Sequence, residues 1–171
     1  MKLVYPPCMA RVMHSINRIS LGVVMESVKD YMTRNPAFCS PDTELRKVAQ
    51  MMVDCDCGEI PVLDPDNKVV GVITDRDIAC RVVARGRNPS KLIARECMSD
   101  HIVTIGENAS FEECVDLMED NKVRRLPVVD QEGRCCGIIS QADIIRNKDF
   151  SAGEVIRRLS RPSDTPSAVA S

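Results

Sequence analysis

A glycine, a hydroxyl and a carboxylate recur at one spacing in two stretches of this chain. They are Gly71, Thr74 and Asp77 in Gly71-Val-Ile-Thr-Asp-Arg-Asp77, and Gly137, Ser140 and Asp143 in Gly137-Ile-Ile-Ser-Gln-Ala-Asp143. Each run passes from strand-like apolar residues into a helix start. The hydroxyl therefore falls at a helix N-terminus, where unpaired N–H groups and the positive dipole end suit a phosphate. The hydroxyl can add a bond to the same oxygen, and the Asp one turn on can accept both hydroxyls of a ribose. The strand glycine lets a flat base approach the backbone. A plainer use exists for the same residues: Thr74 and Ser140 cap the helices while Asp77 and Asp143 favour the dipole. One occurrence fits capping; two at matching places favour nucleotide binding.

The places match because the chain repeats. Shifted by 66 residues without a gap, Met32, Met52, Pro61, Val62, Asp64 and Ile73 fall on Met98, Met118, Pro127, Val128, Asp130 and Ile139. A unit of this length buries too little apolar surface alone, so two pack face to face and leave a seam that can hold a ligand.

Each copy reads as strand, helix, strand, strand, helix. Ala37-Phe38-Cys39 is a short strand, and Ser40-Pro41-Asp42-Thr43 carries helix-start chemistry. Leu45, Val48, Ala49 and Met52 then form one apolar helix face, matched by Phe111, Cys114, Val115 and Met118. Ile60–Leu63 and Val69–Ile73 are apolar runs joined by Asp64-Pro-Asp-Asn67, and Leu126–Val129 and Cys135–Ile139 repeat them. Helices follow from about Arg76 to Val83 and after Ser140. The expected class is α/β with mixed sheets. Residues 26–84 and 93–148 form the repeats, with a linker over 85–92, a flexible extension over 1–25, and a C-terminal segment, 149–171, disordered at its end.

Composition narrows the function. The chain has 171 residues, is 44% hydrophobic and carries a net charge of −2. Such a balance, with aromatics at 3%, lacks the basic face and stacking platforms of a nucleic-acid binder. No apolar run approaches the about 18 residues of a membrane span. Four of the nine cysteines, Cys39, Cys114, Cys135 and Cys136, sit where the other copy has aliphatic side chains, which is how buried free cysteine behaves. Zinc spacing is missing, and scattered thiols suit a reducing cytoplasm. Cys55-Asp-Cys57 is the one tight pair with any scope for redox chemistry. No nucleophile–base pair, metal triad or phosphate-binding Gly-Lys loop is present, which argues against an enzyme.

Asp30-Tyr-Met-Thr33, Ile60–Asp64 and Gly71–Asp77, followed by Cys97-Met-Ser99, Arg124–Asp130 and Gly137–Asp143, together resemble a pair of CBS (cystathionine-β-synthase) motifs. The likeness spans about residues 26–148 and is greatest to stand-alone prokaryotic pairs of the hypoxic-response type. It implies two β-α-β-β-α repeats packed as a pseudo-twofold pair, a homodimer, and regulation of a separate, unidentified protein. The implied ligand is AMP, ADP, ATP, S-adenosylmethionine or NAD(H), with no required cofactor. It further implies that Asp77 and Asp143 hold ribose, and Thr74 and Ser140 phosphate. Ala37, Phe38, Ile60 and Pro61, with Val103, Thr104, Leu126 and Pro127, would line the adenine slots. Arg124 and Arg125 would reach the phosphate held by the other copy's motif. Their counterparts are Gly58 and Glu59, so the expectation is one competent site per chain, at Asp77. The alternative function is an interaction or stress-response protein whose clefts bind no nucleotide.

Overall fold

Periodic apolar residues settle the helices. Leu45, Val48 and Met52 are buried on one face of α2 (Leu45–Asp54), and Phe111, Cys114, Val115 and Met118 on one face of α4 (Phe111–Asn121). The computed structural model describes residues 27–146 and 152–159. The extension over 1–25 and the end of the C-terminal segment lie outside the described residues. The remaining elements are α1 (Val28–Tyr31), β1 (Thr33–Arg34), β2 (Glu59–Leu63), β3 (Val69–Thr74) and α3 (Asp75–Arg81). They continue with β4 (Ile105–Gly106), β5 (Arg125–Val129), β6 (Cys135–Ser140), α5 (Gln141–Arg146) and α6 (Ala152–Leu159).

The sheets are mixed, as expected. One has the order β1-β6-β5-β4, with β4 parallel to β5 and the other neighbours antiparallel. The other is the β2-β3 hairpin, extended by single bridges from Cys39 to Val62 and from Ser99 to Val72. The strand expected over Ala37–Cys39 thus shrinks to one bridge. Its place at the start of the copy is taken by β1, which pairs with β6 of the opposite copy.

That pairing belongs to a reciprocal exchange. Val28 and Met32 are buried in the core of the second copy with Phe111, Met118, Leu126 and Ile139. Leu92, Ala94 and Cys97 are buried in the core of the first with Leu45, Ile60 and Ile73. The backbone follows suit: Val28 N donates to Ala109 O and Lys29 N to Glu107 O, while Leu45 N donates to Leu92 O and Ala94 N to Thr43 O. Each copy's lead-in closes the other copy's core. The linker is therefore no loose tether, since Leu92 is a core residue. Where the two hairpin turns meet, Lys68 bridges Arg134, its own counterpart.

Three local expectations change. Ser40–Thr43 is a separate turn, with Ser40 N donating to Thr43 Oγ1 (3.0 Å), and α2 starts later because Leu92 O already satisfies Leu45 N. The helix expected to reach Val83 ends at Arg81, and a 3-10 turn over Val83–Arg85 closes on Gly86 with positive φ. Within 149–171, Ala152–Leu159 is helical, and Arg158 donates to Asp116 and Glu119 of α4 (both 2.6 Å).

Candidate functional site

Both hydroxyl–carboxylate motifs form reciprocal caps. Asp77 N donates to Thr74 Oγ1 (3.1 Å), while Asp77 Oδ2 accepts from Thr74 N (2.9 Å) and Thr74 Oγ1 (2.7 Å). Asp143 N donates to Ser140 Oγ (3.3 Å), and Asp143 Oδ2 accepts from Ser140 N (2.8 Å) and Ser140 Oγ (2.6 Å). The plainer use of these residues is therefore met at both helices. Each Asp keeps its Oδ1 for an arginine, Arg81 at 3.3 Å or Arg146 at 3.1 Å.

The glycines answer to protein, not to a base. A Cβ on Gly71 would lie 2.6 Å from Met98 Sδ and 3.2 Å from Ser99 O. On Gly137 it would collide with Met32 Sδ and lie 3.1 Å from Thr33 O. The strand is bare so that the exchanged methionine of the opposite copy can lie across it. This corrects the expectation that a base approaches there.

Strand register decides which charges join which motif. Arg125 is the cross-strand partner of Ser140, and Glu59 that of Thr74. Directly opposed residues project on one face of a sheet. Arg125 accordingly borders a cavity of about 340 Å³ with Ser140, Ala142, Asp143 and Arg146. The first copy contributes Thr33, Pro36, Ala37, Cys55, Asp56, Cys57 and Glu59 to its wall, and Ile138 completes it. Arg125 also reaches over Gly58, where a Cβ would lie 3.5 Å from Nη1 and 3.0 Å from Asp75 Oδ2. The small residue that matches Arg124 in the repeat thus leaves room chiefly for the Asp75 carboxylate, with the Arg125 guanidinium at ordinary contact distance.

The Thr74–Asp77 side differs. Arg81, already paired with Asp77, donates to Cys97 O (2.7 Å), Met98 O (2.9 Å) and Ser99 Oγ (2.9 Å). It pins the segment whose counterpart, at Thr33, borders the open cavity. Asp75 caps its own neighbour, accepting from Arg76 N (2.7 Å), while Asp75 N donates to Gly58 O (3.1 Å). A carboxylate thus occupies the Arg76 N–H at the start of α3. Gln141 stands in that place in the second copy. The expectation joined Arg125 to the motif of the opposite copy; the structure places Arg125 and this cavity beside Ser140 and Asp143.

Of the expected lining residues, Ala37 borders the cavity. Ile60 and Leu126 are fully buried in the two cores, and Pro61 and Pro127 are buried beside them. Phe38, 54% exposed, lies on a separate apolar hollow with Leu63, Val70 and Met98. Val103 and Thr104 are half-buried, Val103 against the second core, and Arg124 is exposed. Thr33, Pro36, Ile138, Ala142 and Arg146 also border the cavity. A signal existed for Thr33, inside Asp30-Tyr-Met-Thr33.

Glu59 is the unusual charge. Its Oε1 is buried with no hydrogen-bond partner. Burial pushes its carboxyl up to about 7 from an ordinary 4.5, with Asp77 adding to the rise and Arg125 opposing it. Among the thiols, burial holds Cys39 up at about 11 and Cys114 at about 12, as inert core groups. Burial also raises the half-buried Cys57, which weakens any thiolate role for Cys55-Asp-Cys57. Among the described residues no group of three or more His, Cys, Asp or Glu is placed to hold a metal, and no helix is long and apolar enough to cross a membrane.

Comparison with known proteins agrees with this architecture. The CBS domain model matches residues 28–83 and 94–150. The CBS domain-containing protein YhcV of Bacillus subtilis is 37% identical over 138 residues, covering 80% of this chain and 96% of its own. Hypoxic response protein 1 of Mycobacterium tuberculosis is 35% identical over 123 residues, 72% of this chain and 85% of its own. A crystal structure of hypoxic response protein I with two coordinated zinc ions superposes with a TM-score of 0.66 at 33% identity, over 71% of this chain and 98% of that one. The CBS domain pair of MJ0100, in complex with 5′-methylthioadenosine and S-adenosyl-L-methionine, gives 0.64 at 26% identity, over 71% and 94%.

Proposed function

The chain belongs to the CBS-domain family, and we propose that it is a non-catalytic regulatory sensor that binds an adenosine compound between its repeats. The observation that carries this reading is the convergence at one cavity. Ser140 and Asp143 of one copy, Arg125 of the same hairpin, and Thr33, Pro36 and Ala37 of the other copy border a space of about 340 Å³. That size lies within the usual range for small-ligand pockets. The Asp143 carboxylate, held by its cap, has Oδ1 free to exchange Arg146 for ribose hydroxyls; Arg146 is 76% exposed and gives way at little cost. Arg125 supplies a cation for a phosphate tail, and Pro36, Ala37 and Ile138 supply apolar surface for the base. The MJ0100 pair, with its adenosine ligands, supports the ligand class.

Because the cavity is walled by both copies, a ligand there bears on how they are held together. Regulation follows if two arrangements differ in affinity for it. The assembly is a homodimer acting on a separate protein, in a reducing cytoplasm.

Isothermal titration with AMP, ADP, ATP, NADH, S-adenosylmethionine and 5′-methylthioadenosine tests the reading. Saturable binding near one ligand per chain, without turnover, is expected. Absence of heat with every compound would favour an interaction protein, a reading in which the two caps are the whole use of Thr74–Asp77 and Ser140–Asp143.

A further inference from the structure

The cavity beside Ser140 contains a carboxylate with an unmet need. Glu59 lines it together with Arg125, and Glu59 Oε1 is shielded from solvent without a hydrogen-bond partner. Buried polar atoms are nearly always paired, so an orphan at a cavity wall marks a group whose partner arrives with a ligand or as a proton.

We propose that Glu59 selects the tail of the bound adenosine compound: ionised, it offsets the charge of Arg125 and repels phosphate, and it admits a phosphorylated nucleotide only by taking up a proton. This rests on the adenosine-sensor reading above and deepens it. The cleft then prefers adenosine derivatives with an uncharged tail at alkaline pH, and accepts phosphorylated ones as the pH falls.

The charges around Glu59 fit this role. From β5, Arg125 favours the ionised form, and from α3, Asp77 opposes it. Asp75 lies beside Gly58 and the Arg125 guanidinium. The loop before β2 brings Asp56 and the thiols Cys55 and Cys57 to the cavity, and α5 brings Asp143 and Arg146. Arg125 is thus the cation whose charge favours ionised Glu59, while Arg146 is paired with Asp143. A dianionic phosphate entering there would compete with Glu59 for Arg125 and raise the proton affinity of its carboxyl further. The proton goes from solvent to Glu59, and no bond of the ligand is made or broken.

The test is titration calorimetry of the full chain and of Glu59→Gln with AMP and with adenosine at pH 8, each in two buffers of different ionisation enthalpy. With Glu59 titrating at about 7, charging the wild-type site with AMP should take up most of one proton. Adenosine should take up none. Glu59→Gln should bind AMP about tenfold more tightly than wild type, one unit of displaced titration being tenfold, without proton uptake and with adenosine affinity little changed. If wild type and Glu59→Gln bind both compounds with the same AMP-to-adenosine ratio and no proton uptake, the selector role is overturned while the sensor reading stands. If neither compound binds either protein, both fall.

Discussion

At the scale of single residues, several groups do structural work that resembles ligand chemistry. Asp77 and Asp143 are helix caps before they are anything else, and Gly71 and Gly137 make room for methionine. Gly137→Ala should destabilise the protein by roughly 1–3 kcal/mol through overpacking, read as a lower urea midpoint. Met32→Ala added to it should recover part of the loss; strict additivity of the two would show that they do not meet. Glu59 makes a separate prediction. Its folded carboxyl is raised from 4.5 to about 7, so the folded state binds more protons than the unfolded one between those values, and stability falls as pH rises through them. Glu59→Gln should therefore stabilise the chain at pH 8 by an amount on the order of 3 kcal/mol, the full shift converted at 1.36 kcal/mol per unit. That advantage should fade below about pH 4.5; urea unfolding at both pH values reads it. Sequence spacing located these residues well. It misassigned the glycines because Met32 and Met98 come to them across the copy boundary, a contact no local pattern reveals.

At the scale of elements, the helices α2 and α4 and the two hairpins were legible because apolar spacing and turn residues are local signals. Exchange of the lead-in segments was not. It depends on which copy's core Val28, Met32, Leu92, Ala94 and Cys97 enter, and burial looks alike in sequence either way. The same limit hides the position of Arg125 beside Ser140: strand pairing fixes its face, and that register is a property of the hairpin. The exchange has a direct consequence. A fragment of residues 26–84 lacks Leu92, Ala94 and Cys97, which close its core, and should show no cooperative thermal transition by circular dichroism. Residues 26–99 restore that closure to the first core but leave the α1 segment without its partner core. Cooperative folding of the 26–84 fragment would contradict the account of the exchange.

For the molecule as a whole, two near-copies set the same motif in two unequal surroundings. The caps are the same at both, so inequality comes from what surrounds them. Arg81 and Asp75 occupy the Asp77 side through bonds to Ser99 and Arg76, whereas Thr33, Ala142 and Arg125 border open space beside Asp143. Family and fold were legible in the ordered motifs of both copies; the difference between the two surroundings was not, because Asp75 against Gln141 and Arg81 act through positions outside the recurring residues. The central claim is that an adenosine compound binds at Ser140–Asp143. Its most direct test is calorimetric titration of Asp143→Ala and Asp77→Ala with 5′-methylthioadenosine, each variant first shown to retain a cooperative thermal transition. Asp143→Ala should weaken binding at least about tenfold, the loss of roughly one charge-assisted hydrogen bond, while Asp77→Ala stays close to wild type. Equal losses in both, or a larger loss in Asp77→Ala, would contradict the account.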